Sequence, residues 1–168
     1  MMDIKIEETR LKDAALKGMD AFIGVVRDAI LQAIGGELNA ETMPLLNSEQ
    51  ITLLAYEILR EEVLDGGFVQ LLHNGYGPFF FRNPFVKAIR QWGVDELPAV
   101  IRKASSLFQA NEKELTRDCT DEEFMALFEK YPQFDELDDR FLMMEEKATA
   151  IVAHYVDEHI GNFVTVLK

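Results

Sequence analysis

The sequence predicts an all-α fold, a single domain over residues 1–168 made of about seven helices. Three observations carry that prediction. Apolar residues recur three or four apart along most of the chain, the spacing that lines one face of an α-helix. Between those runs stand the punctuation marks of helices: glycines at the ends, Asn, Asp or Thr at the starts, and prolines beside them. No segment alternates apolar and polar residues between turn signals, as a half-buried strand would.

Each element has its own justification. Leu16, Met19, Ile23, Val26, Ile30 and Ile34 make the first stripe, and Gly35-Gly36 end it. Asn47, with Gln50 three residues later, reads as a capping box ahead of Ile51, Leu54, Ile58 and Leu59. Glu57, Glu61 and Glu62 lie off that stripe and are expected to face solvent. This second helix runs into Gly66-Gly67, after which Phe68 to His73 form a short third helix and Asn74-Gly75 a turn. Asn83 is placed to cap a helix that Pro84 opens, where proline's missing N–H costs nothing. Phe85, Ala88, Ile89 and Trp92 complete it, and Gly93 stops it. Asp95 is the expected cap of the next helix, with Leu97, Val100 or Ile101, Ala104 and Leu107-Phe108 inward. Thr120 and Glu123 make a second capping box before Phe124, Leu127 and Phe128, and Tyr131-Pro132 closes that helix. Asp135 is the expected cap of a long last helix whose stripe is Leu137, Phe141, Met144, Ala148, Ile151 and Tyr155.

Composition narrows the function classes. No apolar run approaches the roughly 20 residues of a membrane helix. The first residues, MMDIKIEETRLKD, lack the basic-then-apolar layout of a secretory signal, so a cytoplasmic protein is the simplest expectation. The single cysteine, Cys119, leaves no internal disulfide and no multi-cysteine zinc site. Lys and Arg number 17 against 30 Asp and Glu, a net charge of −13. Direct binding of nucleic acid is therefore disfavoured, because it depends on cations that neutralise phosphates. Residues 111–147 hold 13 acids and 5 bases, net −8, more than half the total in under a quarter of the chain. Such a concentration suits an acidic face meeting a basic partner, although solubility alone also explains it.

The stretches that invite a chemical reading mostly have structural ones. Gly66-Gly67 follows a helix rather than a strand and precedes no Lys-Ser or Lys-Thr pair, so it reads as a turn that brings two helices close, not as a phosphate loop. His154 and His159 stand five apart, about 140° around a helix, too far to share a metal ion, and His73 has no carboxylate near it in sequence. Ser48, Ser105 and Ser106 lack a nucleophile-elbow setting. Around Cys119, Asp118 and Asp121 oppose thiolate formation. No catalytic residue, metal or cofactor is expected, and the protein is expected not to be an enzyme. The densest acidic group is Asp135, Glu136, Asp138, Asp139, Glu145 and Glu146. Helix-start electrostatics explain part of it; partner binding and Mg²⁺ coordination are the alternatives. Leu137 and Phe141 flank Asp139 and Arg140, which points to one of those two in a buried pair. In "GYGPFFFRNPF", Tyr76, Phe79, Phe80, Phe81 and Phe85 cannot all face one core, so at least one is expected to be exposed or to pack on another subunit.

Two separated motifs together resemble a known family. Asp65-Gly66-Gly67-Phe68, followed by Gln70, Leu71-Leu72, Asn74 and Gly77, resembles the Asn-Gly-Gly-Phe-x-Gln-Phe-Phe-x-Asn-x-x-Gly signature of the DNA-mimic-like family of helical domains. Asp65 stands where that signature has asparagine. Leu137-Asp138-Asp139-Arg140-Phe141 is similar to the Leu-Asp-Asp-Arg-Phe run in the family's last long helix, and the likeness covers about residues 50–160. The resemblance implies an all-α fold and a homodimer that imitates DNA, occupying the DNA-binding surface of a helix-turn-helix transcription regulator and relieving its action. The motifs read as architecture, which leaves the partner surface to scattered acids. Glu57, Glu61, Asp118, Asp121, Glu122, Glu129, Glu136, Asp139, Glu145 and Glu146 are the candidates, with Lys113, Arg117, Lys130 and Lys147 intruding. Carboxylates three or four apart on a helix sit about 5–6 Å from one another, against one charge per about 1.7 Å of B-DNA axis. Two rival readings remain open: an immunity-type protein that covers a toxin's active site, and a carboxylate-metal enzyme.

Overall fold

The computed structural model describes residues 2–168. Among them are eight α-helices: α1 (Glu8–Lys17), α2 (Met19–Ala33), α3 (Ser48–His73), α4 (Gly77–Arg82), α5 (Phe85–Gln91), α6 (Leu97–Thr116), α7 (Asp121–Lys130) and α8 (Gln133–Glu158). Two three-residue strands, β1 (Lys5–Glu7) and β2 (Thr165–Leu167), pair in parallel with Ile6 opposite Val166. The protein is thus all-α with one minimal sheet, and no described helix is long and apolar enough to cross a membrane. Strands this short offer no period for a sequence pattern to reveal. The backbone divides into two units. The first runs to Glu57 and resumes at Lys147–Lys168; the second is Ile58–Glu146. Residues of α3 and of α8 therefore belong to both.

In the first unit the anticipated stripe from Leu16 to Ile34 is really two helices. Gly18, at φ 129° and ψ 174°, ends α1 and resets the register before α2. Leu16 is consequently 87% exposed and Met19 is exposed too, while Leu11 and Ala14 turn inward in α1. Ile23, Val26, Ile30 and Ile34 are buried as expected. The capping box of α3 forms with both arms: Gln50 N donates to Asn47 Oδ1 at 2.8 Å and Asn47 N to Gln50 Oε1 at 3.0 Å. Gln50 Nε2 also donates to the Phe163 carbonyl at 2.8 Å, so the cap ties down the segment leading to β2. Deeper along α3, the Tyr56 hydroxyl meets Thr149 Oγ1 of α8 at 2.8 Å, which satisfies two buried polar groups at once.

In the second unit, α3 breaks at Gly66 and Gly67 and resumes at Phe68, as the glycine pair implies. Three expected caps are differently used. Asn83 Nδ2 donates to the Phe79 carbonyl at 2.8 Å, closing α4 rather than opening α5, and Pro84 itself takes the boundary of α5. Asp95 caps nothing, because the boundary residue of α6 is Glu96 in a helical conformation with no side-chain cap. Asp135 lies in the first turn of α8, which begins earlier, at Gln133. The box of α7 is intact, with Thr120 Oγ1 accepting from Glu123 N and Glu123 Oε1 from Thr120 N, both at 3.2 Å. The unanticipated α4 carries the phenylalanine run. Phe80 and Phe85 are buried, Phe79 and Phe81 half-buried. They join edge-to-face, Phe79 to Phe80 at 5.1 Å and Phe80 to Phe85 at 5.2 Å, while Phe81 tilts against Phe108 at 5.4 Å.

Candidate partner-binding face

The two sequence motifs meet in the second unit. Gly67 adopts φ 73°, and a β-carbon there would lie 2.3 Å from Asp138 Oδ2. Only glycine permits both the left-handed backbone and that approach. The other carboxylate oxygen, Asp138 Oδ1, accepts from Phe68 N at 2.8 Å, so Asp138 caps the resumed helix from another part of the chain. Phe68 and Phe141, both fully buried, meet edge-to-face at 6.4 Å. Leu137 is also buried. Gln70 Nε2 donates to Glu62 Oε2 at 2.6 Å and to exposed Asp65 at 3.0 Å; Asn74 Nδ2 donates to Glu62 as well, at 3.1 Å. At Gly77 a β-carbon would strike the Phe108 ring at 2.8 Å. The buried and half-buried motif residues therefore build a joint. The acid that turns inward is Asp138, half-buried, and not Asp139, which is exposed; one residue turns a helix by about 100°. Arg140 is half-buried as well. Loss of hydration is the main cause that pushes the Asp138 carboxyl up to about 6, with Asp135 and Asp139 adding to it and the Phe68 hydrogen bond opposing.

Two of the candidate acids leave the surface. Glu57 is 3% exposed and pairs with Arg27 at 2.7 Å, in the first unit. The expectation that it faces solvent fails because Arg27 of α2 supplies a counter-charge that lets the carboxylate turn inward. Glu145 is largely covered and pairs with Arg60 at 2.6 Å, so its charge is compensated. Glu61 is exposed on α3. Asp118, Asp121, Glu122, Glu129, Glu136, Asp139 and Glu146 are all exposed, and none forms an ion pair with another described residue. Of the intruding cations, Arg117 is taken up by Glu123 at 3.2 Å and Lys130 by Glu114. These partners, Glu123 and Glu114, lie outside the candidate set, so neither cation pairs with any of those seven acids.

Helix geometry shows which acids share a row. On α8, Asp135, Asp139 and Glu146 fall within about 40° of one another, and Glu136 flanks them. On α7, Glu122 and Glu129 are one heptad apart and nearly in line, about 10 Å along the axis. One such row gives a charge every 6–10 Å or so, sparser than the roughly 3.4 Å of a single DNA strand. Interspersed with the acids are apolar side chains that no buried stripe contains. Leu142 is 54% exposed and Met143 87% on α8, and Met125 is 63% exposed on α7. Their signal lies in the sequence: each stands out of phase with its helix's buried stripe. Exposed carboxylates and exposed apolar groups thus alternate along α7 and α8, a mixture of the kind found on protein-binding surfaces.

The remaining polar groups do local work. His73 Nδ1 lies 3.0 Å from the Leu115 carbonyl and its ring packs on Phe124 at 4.8 Å. His154 pairs with Glu158 at 3.0 Å, and His159 stacks on Tyr155 at 4.1 Å. Tyr131 donates to Glu114, and burial together with that bond pushes its hydroxyl up to about 12. Among the described residues no three His, Cys, Asp or Glu side chains gather as a metal ion would require.

Comparison with known proteins bears on the same region. A family model described as "DMP19-like protein" matches residues 44–159, a span that includes both motifs and the whole acidic segment. A protein described as "DNA mimic protein DMP19", from Neisseria meningitidis serogroup B, is 30% identical over 127 residues, covering 75% of this chain and 77% of that protein.

Proposed function

This chain belongs to the DMP19-like protein family, and from that premise we propose that it is a DNA mimic, a non-enzymatic protein whose acidic face occupies the DNA-binding surface of a basic regulator. The observation that carries this reading is the set of exposed, uncompensated carboxylates on α7 and on α8 as far as Glu146, with Asp135, Asp139 and Glu146 in one row. A surface built for DNA attracts such a row for the reason it attracts phosphates: its Lys and Arg side chains sit in fixed positions and gain from any matching array of negative charge. The mimic contributes no base edges, so discrimination among regulators falls to the spacing of its acids and to Leu142, Met143 and Met125 between them. A cytoplasmic setting and a homodimer accompany this reading, the first because DNA-binding regulators work there, the second by the family likeness.

The test is affinity capture from cell extract at low salt, with the wild-type protein and an Asp135→Asn, Asp139→Asn, Glu146→Gln variant side by side. A basic DNA-binding protein should stay on the wild type, elute as salt rises, and be lost from the variant. Retention of the same proteins by both forms would remove the acidic row from the account.

A further inference from the structure

We propose that Asp138 and the Gly66–Gly67 break form a proton-responsive clasp in the second unit: the carboxyl group closes over the break and holds the Phe68 amide, and uptake of one proton tightens the native state. This goes beyond partner mimicry and does not depend on it.

The geometry is specific. Helix α3 stops at the two glycines, and the N–H of Phe68, the first residue past the break, points to Asp138 Oδ1 at 2.8 Å. Asp138 Oδ2 lies where a side chain on residue 67 would begin, so the glycine backbone itself covers the carboxyl group. The buried rings of Phe68 and Phe141 close off more of the surroundings. A carboxylate in such a place loses hydration and keeps one backbone donor in return.

Its charged neighbours do not offset that loss. On α8 the acids Asp135 and Asp139 both disfavour a further negative charge, and Arg140 adjoins without an ion pair to Asp138. On α3, Glu62 and Asp65 are engaged by Gln70, and Arg60 is committed to Glu145 at 2.6 Å. From α6, Lys103 lines a small cleft with Glu136 and Leu137 rather than meeting Asp138. Hence the carboxyl group is pushed up from 3.8 to about 6. The sign follows from linkage. A carboxyl group with a raised pKa binds its proton more tightly in the folded than in the unfolded chain, so stability grows as pH falls below about 6 and the gain is complete near the unfolded value. The protonated group keeps a carbonyl oxygen for the Phe68 N–H, so the clasp persists while the poorly hydrated charge disappears.

Two measurements test this. The first is urea unfolding from about pH 4.5 to about pH 7.5 for the wild type and for Asp138→Asn, which retains an Oδ1 acceptor. Relative to the variant, the wild-type unfolding constant should rise about tenfold per pH unit up to near 6 and stay level above it; parallel curves would overturn the proposal. The second stands even if the variant does not fold: a side-chain carboxyl NMR titration of the wild type. Asp138 should titrate near 6 with the Phe68 amide moving at the same midpoint. A midpoint at about 4, the ordinary carboxylate value, or a Phe68 amide that ignores it, would overturn the proposal.

Discussion

At Gly67 two constraints coincide: a φ of 73° and a carboxylate against the α-carbon. Gly75 has φ 88° and nothing within 4 Å of where a β-carbon would stand, so it isolates the first constraint. Gly75→Ala should therefore cost about 1 kcal/mol, the strain of a left-handed alanine. Gly67→Ala should cost about 3 kcal/mol or more, because Asp138 must also withdraw and uncap Phe68. Urea denaturation of the two variants checks the difference, and equal losses would mean that Asp138 does not bear on the break. Glu57→Gln removes one charge of a pair in which Glu57 is buried and Arg27 only partly so. Since Arg27 also reaches Asp28 at 3.0 Å, the loss should be about 2 kcal/mol, below the 3–5 kcal/mol or so of a fully buried pair. A thermal melt measures it. These residues mark where sequence reasoning stops. The glycine pair announces a break, and spacing places Leu137 and Phe141 inside. Nothing local says that Asp138 reaches a backbone amide 70 positions away, or that Arg27 draws Glu57 inward.

Among the elements, the legible boundaries are those fixed by contacts within four residues. Both capping boxes form as the Asn47/Gln50 and Thr120/Glu123 spacings imply. Thr120→Ala should cost about 1 kcal/mol by leaving the Glu123 N–H without its acceptor, measurable as a lowered urea midpoint. Gly18 gives no such signal, because apolar residues continue in step on both sides of it, and only its φ of 129° separates α1 from α2. Asp95 and Asn83 are credible caps by composition, yet the first makes no cap bond and the second turns back to Phe79. A capping side chain has more than one backbone group within reach, and tertiary packing chooses among them. On α8 the outward row makes the complementary prediction. The Asp135→Asn, Asp139→Asn, Glu146→Gln variant should keep its stability within about 0.5 kcal/mol, since exposed acids contribute little to the fold. A urea melt checks it, and any loss of partner binding then belongs to the face itself.

For the whole molecule, charge is the property that composition makes plainest and placement makes useful. The net −13 suits either solubility or a basic partner; the exposure of Asp118, Asp121, Glu122, Glu129, Glu136, Asp139 and Glu146 shows which acids solvent reaches. Binding through them should weaken as salt rises, because the Debye length shrinks from about 10 Å at 0.1 M to about 3 Å at 1 M. Mimicry makes a narrower demand than attraction: the protein and DNA must need the same site on the partner. The most direct measurement is displacement, in which a labelled duplex is first bound to the captured basic partner and this protein is then titrated in. Release of the duplex in step with formation of the protein complex, and no species holding all three, is the predicted result. A stable ternary complex, with the duplex still bound at saturating protein, would contradict the account.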